Sequence, residues 1–138
     1  MLLIPKRIHS EMMARAQLAA PAEACGILSG TAGRVRTHHP MTNADASAEH
    51  YSLVPEEQFA AAKAIRGAGE TMLAVWHSHP ATPARPSEED IRLAVAPGVI
   101  HVILSLAGCA TDIRAFLIED GTVQSVSVKI AEEEHNNA

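Results

Sequence analysis

Two histidines one residue apart, His77-Ser-His79, and a carboxylate at Asp90 are the residues of this sequence best placed to do chemistry. In a strand, residues i and i+2 point to the same face, so His77 and His79 project together from the end of a β-prone apolar run, Met72 to Ser78. Their backbones then lie about 6–7 Å apart. Both imidazoles can converge on one ion with bonds of about 2.0–2.1 Å. The loop from Pro80 to Pro86 holds three prolines, which limit the entropy lost in fixing it, and it returns the chain to Asp90 in the first turn of a helix. Two imidazoles and a carboxylate leave the fourth tetrahedral position of a zinc ion to water, which is the open arrangement of a catalytic site. Such an ion lowers the pKa of its water to roughly 7. His-x-His alone is a weak signal, since a polar strand end has the same pattern. Ser87-x-x-Asp90 is also a helix-capping pattern, and the cap and ligand roles are compatible.

Water activation needs a proton acceptor, and a leaving amine needs a donor; one carboxylate can serve as both. Glu23 is the candidate. It heads an apolar run, Glu23 to Gly30, where a buried carboxylate is costly unless it is paired or close to a metal. Read from the residues alone, it is either that group or a solvated strand start. Ser87 is either a hydrogen-bond donor to a developing oxyanion or only the N-cap.

The elements that must position these groups follow from patterning. Leu2–Ile4 reads as an edge strand. A helix runs from Pro5 to just before Pro21, with Ile8, Met12 and Ala16 on one face. Glu23–Gly30 and Arg34–His38 read as strands, His39–Glu49 as a loop, and Tyr51–Val54 as a short strand. Pro55 opens a second helix to about Gly67, acidic in its first turn and basic near its end, as the helix dipole favours. After the central strand and the proline loop, a third helix opens at Ser87 and ends at Pro97-Gly98. Val99–Leu106 is a β-branched strand, and Thr111–Ile118 and Val123–Ile130 flank the hairpin signal Asp120-Gly121. Glu132–Ala138 reads as an acidic, flexible tail. The expectation is one α/β domain over 1–131, a single mixed β-sheet flanked by helices.

The 138 residues suffice for one hydrophobic core. Aromatics make up only 3%, so that core is built mainly from Ala, Val, Ile and Leu. The formal net charge of -5 argues against nucleic acid, which needs a basic face. No apolar run is long enough to span a bilayer and no signal peptide is evident, so a cytoplasmic protein with free thiols is expected. The acidic balance leaves a protein partner, or a homodimer, open.

Other residues invite functional readings. Cys25 shares a strand face with Glu23, but a small buried apolar role is expected, which disfavours a thiol hydrolase. Cys109 sits in a turn. His38-His39 could bind a second ion or line the substrate groove, but a solvated pair is expected; His101 is expected to be a satisfied sheet histidine, and Trp76 a core residue opposite His77.

Glu23, His77-Ser-His79-Pro80 and Ser87-Glu-Glu-Asp90, with ten residues between His79 and Asp90, together resemble the motif of the JAMM (MPN+) zinc metalloproteases. The resemblance extends over nearly the whole chain through the order of its elements. It implies a cytidine-deaminase-like fold, a single Zn2+ held by His77, His79 and Asp90, Glu23 as general acid/base, and Ser87 as oxyanion helper. The activity implied is (iso)peptide cleavage at the C-terminus of a ubiquitin-like or sulfur-carrier protein with a Gly-Gly tail. In the compact prokaryotic branch, which the chain's length resembles, that includes trimming beyond Gly-Gly or release of cysteine. A non-catalytic binding scaffold is the competing expectation, and the complete motif disfavours it.

Overall fold

The structure, a computed structural model, describes residues 1–94 and 98–132. Its elements in chain order are β1 (Leu2–Pro5), α1 (Lys6–Ala19), β2 (Cys25–Thr31), β3 (Arg34–Met41), α2 (Pro55–Gly67), β4 (Thr71–His79), α3 (Glu88–Leu93), β5 (Ile100–Ser105), β6 (Asp112–Glu119), β7 (Thr122–Val126) and β8 (Val128–Ala131). The strands form one mixed sheet in the order β7-β6-β5-β4-β2-β3-β1-β8, which bears out the α/β expectation.

This order opens and closes on strands joined by the single residue Ser127. Laid flat, seven inter-strand gaps of about 4.8 Å would part the two edges by roughly 34 Å. One residue spans a small fraction of that, so the sheet must curl until its edges meet. Helix α1 lies inside the curl and touches β1, β5 and β8. Its Ile8, Met12 and Ala16 pack with Leu28, Ala74, Trp76, Val102 and Leu104 from the inner face. The outer face carries the alternate residues. There Cys25, Ile27 and Met41 pack under Ala61 and Ile65 of α2, and Ile103, Phe116 and Ile118 pack with Ala84 and Ile91.

Four expectations change. β1 is interior, because β8 pairs with it in parallel and takes the edge. Val123–Ile130 is not one strand: it breaks at Ser127, whose carbonyl accepts from the Leu2 amide at 2.8 Å as the chain crosses from β6 to β1. β3 runs on to Met41, through Pro40. β3 pairs with β1 only where Leu3 lies opposite Arg34, so Pro40 faces Gly26 of β2 on one side and has no β1 partner on the other, a margin that tolerates proline. Tyr51–Val54 contributes only a bridge between Leu53 and Asn43. Helix α3 ends at Leu93; the expected stop at Pro97 and the tail beyond Glu132 lie outside the described residues.

Candidate metal centre

β4 ends on the outer face with His77 and His79 side by side, 1% and 4% exposed. The proline loop is fixed at three points. Ser105 Oγ donates to Thr82 O at 2.6 Å, Arg85 N donates to Pro83 O at 2.8 Å, and Ala84 is buried in the outer cluster. Helix α3 then starts with a full capping box. Ser87 Oγ accepts from Asp90 N at 3.0 Å, and Asp90 Oδ2 accepts from Ser87 N at 2.9 Å. The cap turns the Asp90 carboxylate back toward β4.

The result is a triangle. His77 Nε2 and His79 Nε2 are 3.2 Å apart, and each is 3.2 Å from Asp90 Oδ2. An ion about 2.0–2.1 Å from each ligand of a tetrahedron places those ligands about 3.3 Å from one another. The donor set therefore fits a zinc-sized tetrahedral ion almost without movement. The protonation pattern agrees. His79 Nδ1 lies 2.8 Å from the Pro83 carbonyl, which can only accept, so Nδ1 carries the proton. In the neutral ring Nε2 then presents a lone pair to the Asp90 carboxylate, and either a proton on Nε2 or a metal cation between them reconciles the two.

The electrostatics show the same demand for positive charge. Burial opposes ionisation of Asp90, but hydrogen bonds from His77, His79 and the Ser87 amide hold its carboxyl well below the usual range. Burial likewise opposes the His79 cation, yet its contacts with Asp90 and Pro83 O push its pKa up. His77 goes the other way, lowered by near-complete desolvation.

Glu23 is 3% exposed, and its Oε1 has no hydrogen-bond partner among the described residues. Desolvation raises its pKa from 4.5 to about 7, against the pull of His79 and with the push of Asp90. It is thus a buried carboxylate beside the triangle, not a solvated strand start. Its backbone is held from two sides. Glu23 N donates to Ser47 O at 2.7 Å, and the Asn43 amide donates to Glu23 O at 3.1 Å. Asn43 also binds His50 O, Asp45 N and Ser52 N, which organises the loop expected over His39–Glu49.

A model of the prokaryotic homologs of the JAB domain matches residues 5–119. The chain belongs to this family. It is 36% identical over 135 residues to a CysO-cysteine peptidase of Mycobacterium tuberculosis, covering 96% of this chain and 92% of the relative. A desampylase of Haloferax volcanii is 38% identical over 94 residues, covering 66% of this chain and 68% of the relative. Among solved structures, protein DSY2949 of Desulfitobacterium hafniense superposes with a TM-score of 0.90 at 42% identity, covering 99% of this chain and 97% of that one. With peptidase relatives and a complete His-His-Asp group, this JAB-domain protein is a metallopeptidase of the JAMM type.

Patterning missed two features of the JAB-domain site and a third in the sheet behind it. Tyr51 stacks on His77 with ring centroids 4.7 Å apart and planes at 25°. His101 is not satisfied: it is buried, and its Nε2 lacks a partner. His38 is not solvated, with its side chain only 1% exposed. His38 Nε2 accepts from Trp76 Nε1 at 3.0 Å, so its Nδ1 donates to Glu11 at 3.0 Å. His39 is engaged too, 2.9 Å from Ser29 Oγ. Both histidines belong to the sheet and not to a second metal site. Only their register opposite β2 shows this, and no local pattern marks it. Trp76 packs in the inner core as expected. Cys25 is fully buried, and its thiol is pushed up to about 12 by desolvation, so it has no thiolate with which to act as a nucleophile. No helix among the described residues is long and apolar enough to cross a membrane.

Proposed function

We propose that this chain is a zinc-dependent peptidase that cuts after the C-terminal Gly-Gly of a small ubiquitin-like or sulfur-carrier protein. The observation that carries this reading is the 3.2 Å triangle of His77, His79 and Asp90 with the raised pKa of Glu23 beside it. Support for the substrate class comes from the CysO-cysteine peptidase, similar over almost the whole chain, and from the desampylase.

When bound, the ion supplies Lewis acidity for the scissile carbonyl and acidifies water. The remaining steps belong to the chain. Glu23, with a pKa of about 7, takes the proton of the attacking water and delivers it to the leaving nitrogen. Ser87 spends its oxygen on the Asp90 amide but keeps its O–H, which is free to donate to the oxyanion. A cavity of about 160 Å³ opens beside the ligands, lined by Tyr51, Leu53, His77, Asp90, Leu93 and His101. That volume suits a tail without side chains. A larger cavity of about 760 Å³ lies across the ligand loop, beside Arg85, Arg114 and Phe116, and none of the three ligands lines it.

The test is Glu23→Gln on a carrier fusion extended beyond Gly-Gly. Zinc content should match that of the wild type while kcat falls by about 10²–10⁴. Cleavage at the wild-type rate would remove Glu23 from the mechanism, and loss of zinc would make it a ligand instead of a base.

A further inference from the structure

The three ligands are not equally supported. His79 Nδ1 has the Pro83 carbonyl at 2.8 Å, and Asp90 has its cap. His77 offers Nε2 to the triangle, so its Nδ1 must carry the proton when Nε2 gives its lone pair. That N–H is buried and has no acceptor among the described residues. Left unpaired, it is unfavourable.

A second orphan lies close by. His101 is 9% exposed, and its Nε2 also has no partner. β5 runs parallel to β4 with His101 opposite Val75 and Ile103 opposite His77. His101 therefore stands diagonally across from His77 on the same outer face, about 8 Å away at the backbone. Both residues line the 160 Å³ cavity. A water needs about 10–15 Å³ and at least two polar partners, and both are available there. Each nitrogen is without a partner among the described residues, so the two do not bond directly, and one water is the simplest link. Burial disfavours the His101 cation, so one of its ring nitrogens keeps a lone pair, and in the Nδ1–H tautomer Nε2 is the acceptor.

We propose that His101 is a positioning residue for His77: through one buried water its Nε2 accepts the Nδ1–H of His77, fixing the tautomer and ring angle that present Nε2 to the ion. The inference rests on the metal-site reading above. Metal ligands are commonly braced this way, and loss of the brace weakens binding by about 10–100-fold. His77 then has the stacked face of Tyr51 on one side and the His101 water at its far nitrogen.

The experiment is a chelator competition for Zn2+ on the wild type, His101→Phe and His101→Gln, with melting of each metal-free protein. His101→Phe should weaken Zn2+ by about 10–100-fold. His101→Gln, whose amide oxygen can accept, should recover most of that loss. The metal-free melting temperatures should agree, because the brace matters only when Nε2 is engaged. A merely structural histidine would give the reverse: a lower metal-free melting temperature and unchanged affinity. Long-range ¹H–¹⁵N spectra of the wild-type zinc form test the same point without any substitution. A slowly exchanging Nδ1–H on His77 supports the brace, and coordination through Nδ1 overturns it. Wild-type affinity in His101→Phe would also overturn it. A wild type that takes no metal would instead defeat the metal-site reading itself.

Discussion

Glu23 offers a test of the buried site that needs neither substrate nor metal. Its carboxyl is 3% exposed, lacks a partner at Oε1, and has its pKa raised from 4.5 to about 7. A carboxyl that holds its proton more tightly in the fold than in the unfolded chain favours the fold while protonated. That contribution is complete below about 4.5 and is lost as pH rises through about 7. At about 1.4 kcal/mol per pH unit, the ionised form is unfavourable in the native state by about 3–3.5 kcal/mol above pH 7. Gln keeps the shape and cannot ionise. Metal-free Glu23→Gln should therefore match the wild type near pH 4.5 and exceed it by about 3 kcal/mol at pH 8, or roughly 10 °C in melting temperature. The assay is urea unfolding of both proteins in chelator across this range. Groups that do not feel the Glu23 charge cancel in the difference, which leaves Glu23 and its coupling to His79 and Asp90. The gap should narrow in the metal-loaded protein, because a nearby cation favours the carboxylate. A difference that is flat with pH, or a variant less stable at pH 8, would refute the claim that Glu23 is a desolvated base.

Ser87→Ala should retain zinc, lose about 1 kcal/mol with the helix cap, and lower kcat at least about tenfold with KM unchanged; steady-state kinetics on the fusion substrate decide this. Cys25→Ala should cleave at the wild-type rate, and a thiol reagent at pH 8 should titrate only Cys109 in the native protein, since Cys25 is buried with its pKa near 12 and Cys109 is exposed. Gly26→Ala should destabilise the fold by about 1–3 kcal/mol, because a Cβ there would collide with Trp76 Nε1 and press on His38 Nε2 at 3.1 Å; the single tryptophan reports unfolding directly by fluorescence.

The metal triangle was legible because its causes are local. Period-two alternation sets His77 and His79 on one face, and a capping box sets the direction of Asp90. Helices α1 and α2 announced themselves through prolines, glycines and apolar spacing. The closure of the sheet did not. Val123–Ile130 alternates without a breaker, and nothing within it says that Ser127 will leave one sheet edge and reach the other. That choice depends on β1, more than a hundred residues earlier, needing a partner. The same limit hid His38 and His101. Each alternates like an exposed strand residue, and each is buried only because a distant segment covers its face.

The serine between the two histidines shows how closely the local and distant parts join. Alternation that sends His77 and His79 outward sends Ser78 inward, where it is fully buried. Its Oγ accepts from Ala24 N at 2.8 Å, and its amide donates to Ala24 O at 2.9 Å. Ala24 follows Glu23 directly. One strand end therefore fixes His77 and His79 with its outward side chains, and fixes the Glu23 segment through its inward one. The spacing between Glu23 and the His77–His79 pair is set by β-sheet geometry and not by a flexible loop. A site built this way is preorganised before any ion arrives, and the 3.2 Å triangle is the expression of that order.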